Sequence, residues 1–262
     1  MRALHTAATG MMAQELSVQV ISNNIANMRT TGYKRQRAEF QDLLYEHVRR
    51  IGTQTSDQGN VLPVGVDLGS GVKTTGTPRI MTQGTLAPTG KDFDLAIRGE
   101  GFFKIQMPDG TYSYTRDGSF EPDSQGRIVN AQGNVVAPGI TIPQNAQSIT
   151  INPTGQVSVL LPGTTTPSVL GQLTLTRFLN KTGLQSVGDN LYTETPASGT
   201  PQDGIANTDG MGDLQQSNLE QANVEAVTEI SDLIAAQRAY EMNAKVISAA
   251  DQMESTTSNL MR

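Results

Sequence analysis

Two histidines, His5 and His47, are the first residues to question for chemistry. Neither has a second histidine, a cysteine or a spaced carboxylate to complete a zinc site, so both read as solvated or packed side chains. Gly99-Glu100-Gly101 before Phe102-Phe103 has the opening of a dinucleotide fingerprint. The third glycine is missing and a strand pattern follows, which favours a tight bend between closely packed backbones. Glu121-Pro-Asp123-Ser-Gln125-Gly126 could open a calcium loop, but its twelfth position is Gln132 and no helical pattern brackets it. A hairpin turn is the simpler reading. Asp92, Asp94 and Asp117 could supply an acid–base pair, yet nothing gathers two of them in an apolar pocket. There is no Gly-x-Ser-x-Gly elbow, and Asn180-Lys-Thr182 is only a formal glycosylation sequon. Cysteine is absent, which excludes disulfides, thiolate metal sites and a thiol nucleophile. The residues predict no enzyme, no cofactor and no metal.

With no chemistry to position, the elements themselves carry the argument. The chain has 262 residues, 36% of them apolar, with 26 glycines and no tryptophan. Such a chain buries little apolar surface per residue, so it is expected to be extended or to complete its core with neighbours. A net charge of −6 argues against a nucleic-acid partner. No apolar run reaches the roughly 18 residues of a membrane span, which predicts no direct membrane insertion. Gln14, Glu15 and Gln19 interrupt the first segment where a signal peptide would be apolar. Export, if it occurs, is expected without a cleaved signal.

The two ends are helical by pattern. Leu4, Met11, Val18 and Ile25 recur at seven-residue steps, with Ala7, Ile21 and Met28 three later in most of them. Met12, Leu16 and Val20 lie off this stripe, so the helix is expected to pack on more than one side. Thr30-Thr31-Gly32 stops it. At the other end Ser217 and Glu220 have capping-box spacing. Ala226, Ile230, Leu233, Tyr240, Ala244 and Ile247 follow at helical spacing, and neither Gly nor Pro occurs from Leu219 to Arg262. A helix over that span would be on the order of 60 Å long, too long to bury its stripe without a partner. Between the ends, from about Thr74 to Gly212, Phe93, Leu95 and Ile97 alternate with Asp94, Ala96 and Arg98, and Phe103, Ile105 and Met107 with Lys104 and Gln106. Pro108-Asp109-Gly110 and Pro153-Thr154-Gly155 mark turns. Closely spaced hairpins without helical pattern predict an antiparallel β-domain. The joining stretch holds Phe40, Leu43, Leu44 and Val48 at helical spacing, suggesting a short helix near 38–48, then turns polar from Gly52 to Asn60.

The expected fold is therefore α+β. Long N- and C-terminal helices (1–34 and 215–262) pack as a coiled-coil-like assembly domain. An extended connector (35–73) leads to an inserted antiparallel all-β domain (74–214). Stripes at opposite ends of the chain, flanking a β-domain that can close alone, read best as an assembly surface. Leu4, Met11, Val18, Ile21 and Ile25 are expected to form one half, and Ile230, Leu233, Tyr240 and Ile247 the other.

Several motifs sharpen this reading. Ser22-Asn-Asn-Ile-Ala-Asn27 with Thr31-Gly-Tyr-Lys34 resembles the N-terminal signature of flagellar rod and hook proteins. Gln83-Gly-Thr-Leu86, Asp94-Leu-Ala-Ile-Arg-Gly-Glu-Gly-Phe-Phe103, Tyr114-Thr-Arg-Asp-Gly-Ser-Phe120 and Gly126-Arg-Ile-Val129 resemble its centre. Ser217-Asn218 and Ala236-Gln-Arg-Ala-Tyr-Glu-Met-Asn-Ala-Lys245 resemble its C-terminal signature, all in collinear order. The chain departs from the pattern at Ile230-Ser-Asp-Leu-Ile234, where a Met-rich run is usual, and at Gln216, where a Glu is usual.

A single β-domain with an extended stretch near Glu46–Pro63 is similar to the members that build the distal rod. The resemblance implies a homopolymer, a rigid hollow tube carrying torque from motor to hook and passing exported subunits. It implies other rod subunits, hook subunits, junction proteins, the surrounding bushing ring and the type III export apparatus as partners. It implies a place in the basal body, crossing the periplasm. Glu46, Arg49, Arg50 and Pro63 are then expected to stiffen the tube by bridging subunits. The alternatives are another rod or hook subunit, a ligand-binding β-module on a coiled-coil stalk, or an enzyme that clears cell wall. Aromatic residues at 5% disfavour the second, and the missing acid–base constellation disfavours the third.

Overall fold

The computed structural model describes residues 2–50, 64–164 and 166–260. They form two compact units, one comprising Met1–Ile25, Gln36–Pro78 and Glu225–Arg262, the other Ala26–Arg35 and Arg79–Val224. Each is α- or β-rich as the α+β pattern requires.

In the first unit, α1 (Arg2–Ala26) has 25 residues and α2 (Ala226–Leu260) has 35. At 1.5 Å per residue they are about 37 and 52 Å long. Helix α2 begins later than its sequence signal. Ser217 takes φ +58° and Asn218–Glu220 is a strand, so the expected capping box is not one. The Glu225 carboxylate instead accepts a hydrogen bond of 2.9 Å from the Thr228 hydroxyl, placing negative charge at the positive end of the helix.

The joining stretch is two antiparallel ribbons. β1 (Glu39–Asp42) pairs with β4 (Val72–Gly76), and β2 (Tyr45–Arg49) pairs with β3 (Val66–Gly69). The short helix expected near 38–48 does not form. Leu43 N–H donates to Gly71 O at 2.8 Å and Ser70 N–H to Leu44 O at 3.2 Å, so the backbone finds partners across the ribbon rather than along itself. Pro63 and the polar run 52–60 lie outside the described residues.

The second unit is antiparallel throughout its strand pairs. β5 (Leu86–Pro88) pairs with Asn218–Glu220, and β6 (Leu95–Arg98) with Asp213–Gln216. β7 (Phe102–Gln106) lies inside a nine-stranded sheet, between β8 (Tyr112–Thr115) on one side and Val135–Val136 on the other. Ser148–Ile151, Gln156–Leu160 and Ser168–Gln172 make a separate three-stranded sheet. Successive side chains of β7 point to opposite faces. Phe103 and Ile105 enter the main core with Leu95, Ile97, Phe120, Leu173 and Leu175. Phe102 enters a second cluster with Tyr114, Phe178, Leu184 and Tyr192, where Tyr114 and Phe178 meet edge-on at 4.7 Å. Burial there pushes the Tyr114 phenol up to about 12. The glycine pair at 99 and 101 is the expected bend. Both residues have positive φ, +108° and +138°, and a side chain at 101 would press on Leu175 at 3.3 Å.

Along the chain the two units alternate at 25/26, 35/36, 78/79 and 224/225. Lys34 and Glu220, close to two of these points, are both buried in the β-rich unit.

Candidate functional site

The helical unit is held by a narrow seam. Ala7, Ala13, Val20 and Asn24 are the buried residues of α1, and Glu229, Ala236 and Ala250 those of α2. The Asn24 amide donates to the Glu229 carboxylate at 3.1 Å. A side chain built on Gly10 would come within 3.0 Å of the Asn243 amide. From Gly10 to Asn24 and from Glu229 to Asn243 are the same two heptads, run in opposite directions, so α1 and α2 pair antiparallel in one register. The small residues permit this close approach, and they leave the larger apolar side chains outside it.

Those side chains are the expected stripe. Leu4, Met11, Val18, Ile21 and Ile25 are half-buried, as are Leu233 and Ile247. Ile230 and Tyr240 are exposed, at 49% and 44%. The stripe residues thus flank the seam rather than fill it. Further exposed residues continue the flanks, including Val227, Ile234, Met242, Val246 and Met253 on α2 and Met12 on α1. Val18 and Tyr240 also line an open groove of about 490 Å³ with Glu15, Gln237 and Glu241. A helix whose apolar residues spread to both sides of its contact has surface for further helices.

Of the connector residues, Glu46 faces α1, its carboxylate 2.6 Å from the Arg2 guanidinium in an exposed ion pair. Arg49 stands opposite Val66 in the β2–β3 ribbon. His47 contacts Asp67 at 2.6 Å on the same ribbon, which exposes Leu44, Tyr45, Val48, Val66 and Leu68. A two-stranded ribbon with no buried face is marginal alone.

Local pattern did not reveal a polar knot in the β-rich unit. Glu220, buried, accepts from Lys34 Nζ at 2.5 Å and from the Gly84 N–H at 2.8 Å through Oε1, and lies 3.4 Å from Arg116 through Oε2. Lys34 Nζ also donates to Thr82 O at 2.8 Å, and Arg116 to Gly99 O at 2.6 Å. Burial pulls Lys34 below its usual range while the Glu220 charge opposes the shift, and burial likewise lowers Arg116. Nearby, Asn223 accepts from Arg35 N–H at 2.7 Å and donates to Ile80 O at 2.7 Å. Lys34 and Arg116 stand within quoted motifs, but a pairing 186 residues apart has no periodic signature. Gln216, the departure from the usual Glu, donates to Asp92 O and Ile149 O and accepts from Ile151 N–H. A carboxylate could not donate those two bonds.

Three acidic residues of the calcium-like, dinucleotide-like and acid–base patterns have structural partners. Asp123 accepts from the backbone of Gln125 and Arg127, and Asp117 from Ser119. Glu100 pairs with Lys181. Among the described residues no group of three or more His, Asp or Glu could hold a metal ion. No helix among them is long and apolar enough to cross a membrane.

Three family profiles match the chain. Residues 4–34 match the flagella basal body rod protein family, residues 96–159 the D1 domain of the flagellar hook protein FlgE/F/G family, and residues 215–260 the C-terminal region of flagellar basal body rod FlgEFG proteins. The flagellar basal-body rod protein FlgG of Caulobacter vibrioides is 54% identical over 99% of both chains. That of Agrobacterium fabrum is 48% identical over the whole of both. FlgF of the same Caulobacter strain is 34% identical over 94% of this chain and 91% of its own length.

Proposed function

The chain belongs to the flagellar basal-body rod protein family, and on that premise we propose that it is the structural subunit of the distal rod. It polymerises into a rigid hollow tube that transmits torque and conducts exported subunits. The observation that carries this reading is the pair of exposed apolar flanks beside the α1–α2 seam, with Ile230 and Met253 at 49% and 63% exposure. With about half of each such side chain still exposed, its full burial gains roughly 1–2 kcal/mol, which neighbouring copies supply in a helical lattice. The sharper likeness to FlgG than to FlgF supports the distal position.

The subunit passes through the flagellar type III export apparatus without a cleaved signal and orders its ends on assembly. It meets other rod and hook subunits, junction proteins and the bushing ring where the rod crosses the periplasm. It has no catalytic role. Glu46, Arg49, Arg50 and Pro63 belong to a connector that ties neighbouring subunits. The test is electron microscopy of polymer grown from the full-length chain. Straight hollow tubes are expected. Curved tubes would identify a hook subunit instead, and a small closed oligomer would overturn the reading.

A further inference from the structure

A seam of small residues brings helices close but specifies their register poorly. Ala236, Asn243 and Ala250 recur at seven-residue steps along α2. Sliding α2 by one heptad would set Gly10 against Ala236 or Ala250 instead of Asn243, with no clash. Something else must choose. The seam contains one buried polar layer, Asn24 and Glu229, each 1% exposed. Asn24 is itself held in place: its Nδ2 donates to Gln36 O at 2.9 Å and its Oδ1 accepts from Gln36 N–H at 2.9 Å. Its amide is thereby oriented, and Nδ2 also donates to Glu229 Oε2 at 3.1 Å.

We propose that Asn24 and Glu229 are a register key for the α1–α2 pair, positioning residues that fix which parts of the assembly surface lie side by side. In one slipped register Asn24 faces Ala236, and Glu229 stands opposite position 31, past the end of α1. In the other, Asn24 faces position 222, which precedes α2. Either slip forfeits the hydrogen bond between these two buried side chains, the kind of loss by which a polar layer selects register in paired helices. A slip of seven residues moves one half of the surface by about 10 Å relative to the other. Val18 and Tyr240 would no longer share a groove. The consequence for polymerisation rests on the assembly reading above; the key itself does not.

The chain has no cysteine, so introduced pairs report register directly. In the assembled full-length chain, Gly10→Cys with Asn243→Cys should form a disulfide under mild oxidation. Gly10→Cys with Ala236→Cys, or with Ala250→Cys, should not. Adding Asn24→Leu and Glu229→Leu should preserve helix content yet raise the two slipped cross-links at least tenfold. Asn24→Asp alone should also raise them, since it sets two carboxylates together. Asn24→Asp with Glu229→Gln exchanges donor and acceptor across the seam, though it gives up the bond to Gln36 O, and should return the 10–243 cross-link part of the way to its original yield. A sole 10–243 cross-link in the double-leucine chain would overturn the key, as would slipped cross-links in the unmodified background. Should the leucine chain not fold, the failure of the exchanged pair to restore register would overturn it equally. Native cross-links in a chain that never polymerises would uphold the key and sink the assembly reading.

Discussion

The two units spend their apolar residues differently. In the β-rich unit Phe103, Ile105, Val157 and Leu175 are completely inaccessible, and even Lys34 and Glu220 are enclosed with partners. In the helical unit the enclosed residues are mostly alanines, while Val227, Met242 and Met253 stay 73%, 61% and 63% exposed. One unit has closed its core, and the other has kept large side chains in reserve. A stable fold requires the first arrangement, whereas a polymer requires the second, because only unburied surface can reward the next subunit for docking. The difference teaches that stability and assembly should be separable by mutation.

Leu233→Asp should produce the largest effect. It puts a charge where half-buried packing meets the flank, and an unpaired buried charge costs several kcal/mol. Val18→Lys acts from the other helix. Polymer yield, followed by sedimentation, should fall more than tenfold for either, while the melting of the β-rich unit stays within about 1 °C. Ordinary filaments from these variants would break the comparison, since the flanks would then not be the docking surface.

The converse experiment is Glu220→Ala. It leaves Lys34 and Arg116 enclosed without their shared carboxylate, a loss of about 3–5 kcal/mol. At about 2–4 °C per kcal/mol for a unit of this size, the β-rich unit should melt on the order of 10 °C lower. Calorimetry of the full-length chain measures it. An unchanged transition would show that the knot is not part of the closed core.

Much of this division was legible in the chain. The alternation of Phe103 and Ile105 gave β7, and the turns at Asp109-Gly110 and Thr154-Gly155 separated strands where expected. Helical spacing found both terminal helices, because periodicity is a local property. It included Ala7 in its stripe and assigned Leu4, Met11 and Val18 to assembly, but it did not single out Gly10 and Ala13 for the α1–α2 seam, since large apolar residues dominate any reading by hydrophobicity while close helix packing favours small ones. Ser217 and Glu220 looked like a cap, but Glu220 had a buried lysine to satisfy. The helix near 38–48 failed for a related reason: β1 and β2 are defined by partners 66–76, which spacing within the segment cannot show. Asn24, Glu229 and Asn223 act through partners far along the chain, and no local pattern exposes such pairs.

A finer distinction can be drawn within the helical unit, between residues that make the polymer and residues that stiffen it. Deleting Glu46–Pro63 removes most of β2 and the Arg2–Glu46 ion pair but leaves both helices and their seam. The proposal that this stretch ties neighbours predicts polymer in near-normal yield with a shorter persistence length or a curve, measured on micrographs. Straight, stiff deletion tubes would move the source of rigidity elsewhere. Loss of polymer would show that the connector belongs with the flanks as an assembly element.

The smallest effect concerns charge at the surface of the closed unit, in contrast to its enclosed knot. Partial burial opposes ionisation of Asp203, but hydrogen bonds from Lys104 and Thr176 and the Lys104 charge outweigh it, leaving the carboxyl below its ordinary 3.8. The contacts are 2.6 Å to Lys104 Nζ and 2.5 Å to Thr176 Oγ1. A carboxyl lowered in the folded state is protonated sooner in the unfolded one. Its contribution is therefore complete above the unfolded value and is lost as pH falls through the folded one. Because the Asp203 side chain is 43% exposed, solvent screening limits the pair to about 0.5–1 kcal/mol. Asp203→Asn should lower the melting of the β-rich unit by a few degrees at pH 7. The gap from the unmodified chain should narrow as pH falls below about 4 and shrink in high salt. A gap that persists unchanged at pH 2 would mean that Asp203 acts by packing and neutral hydrogen bonding, with no share from its charge.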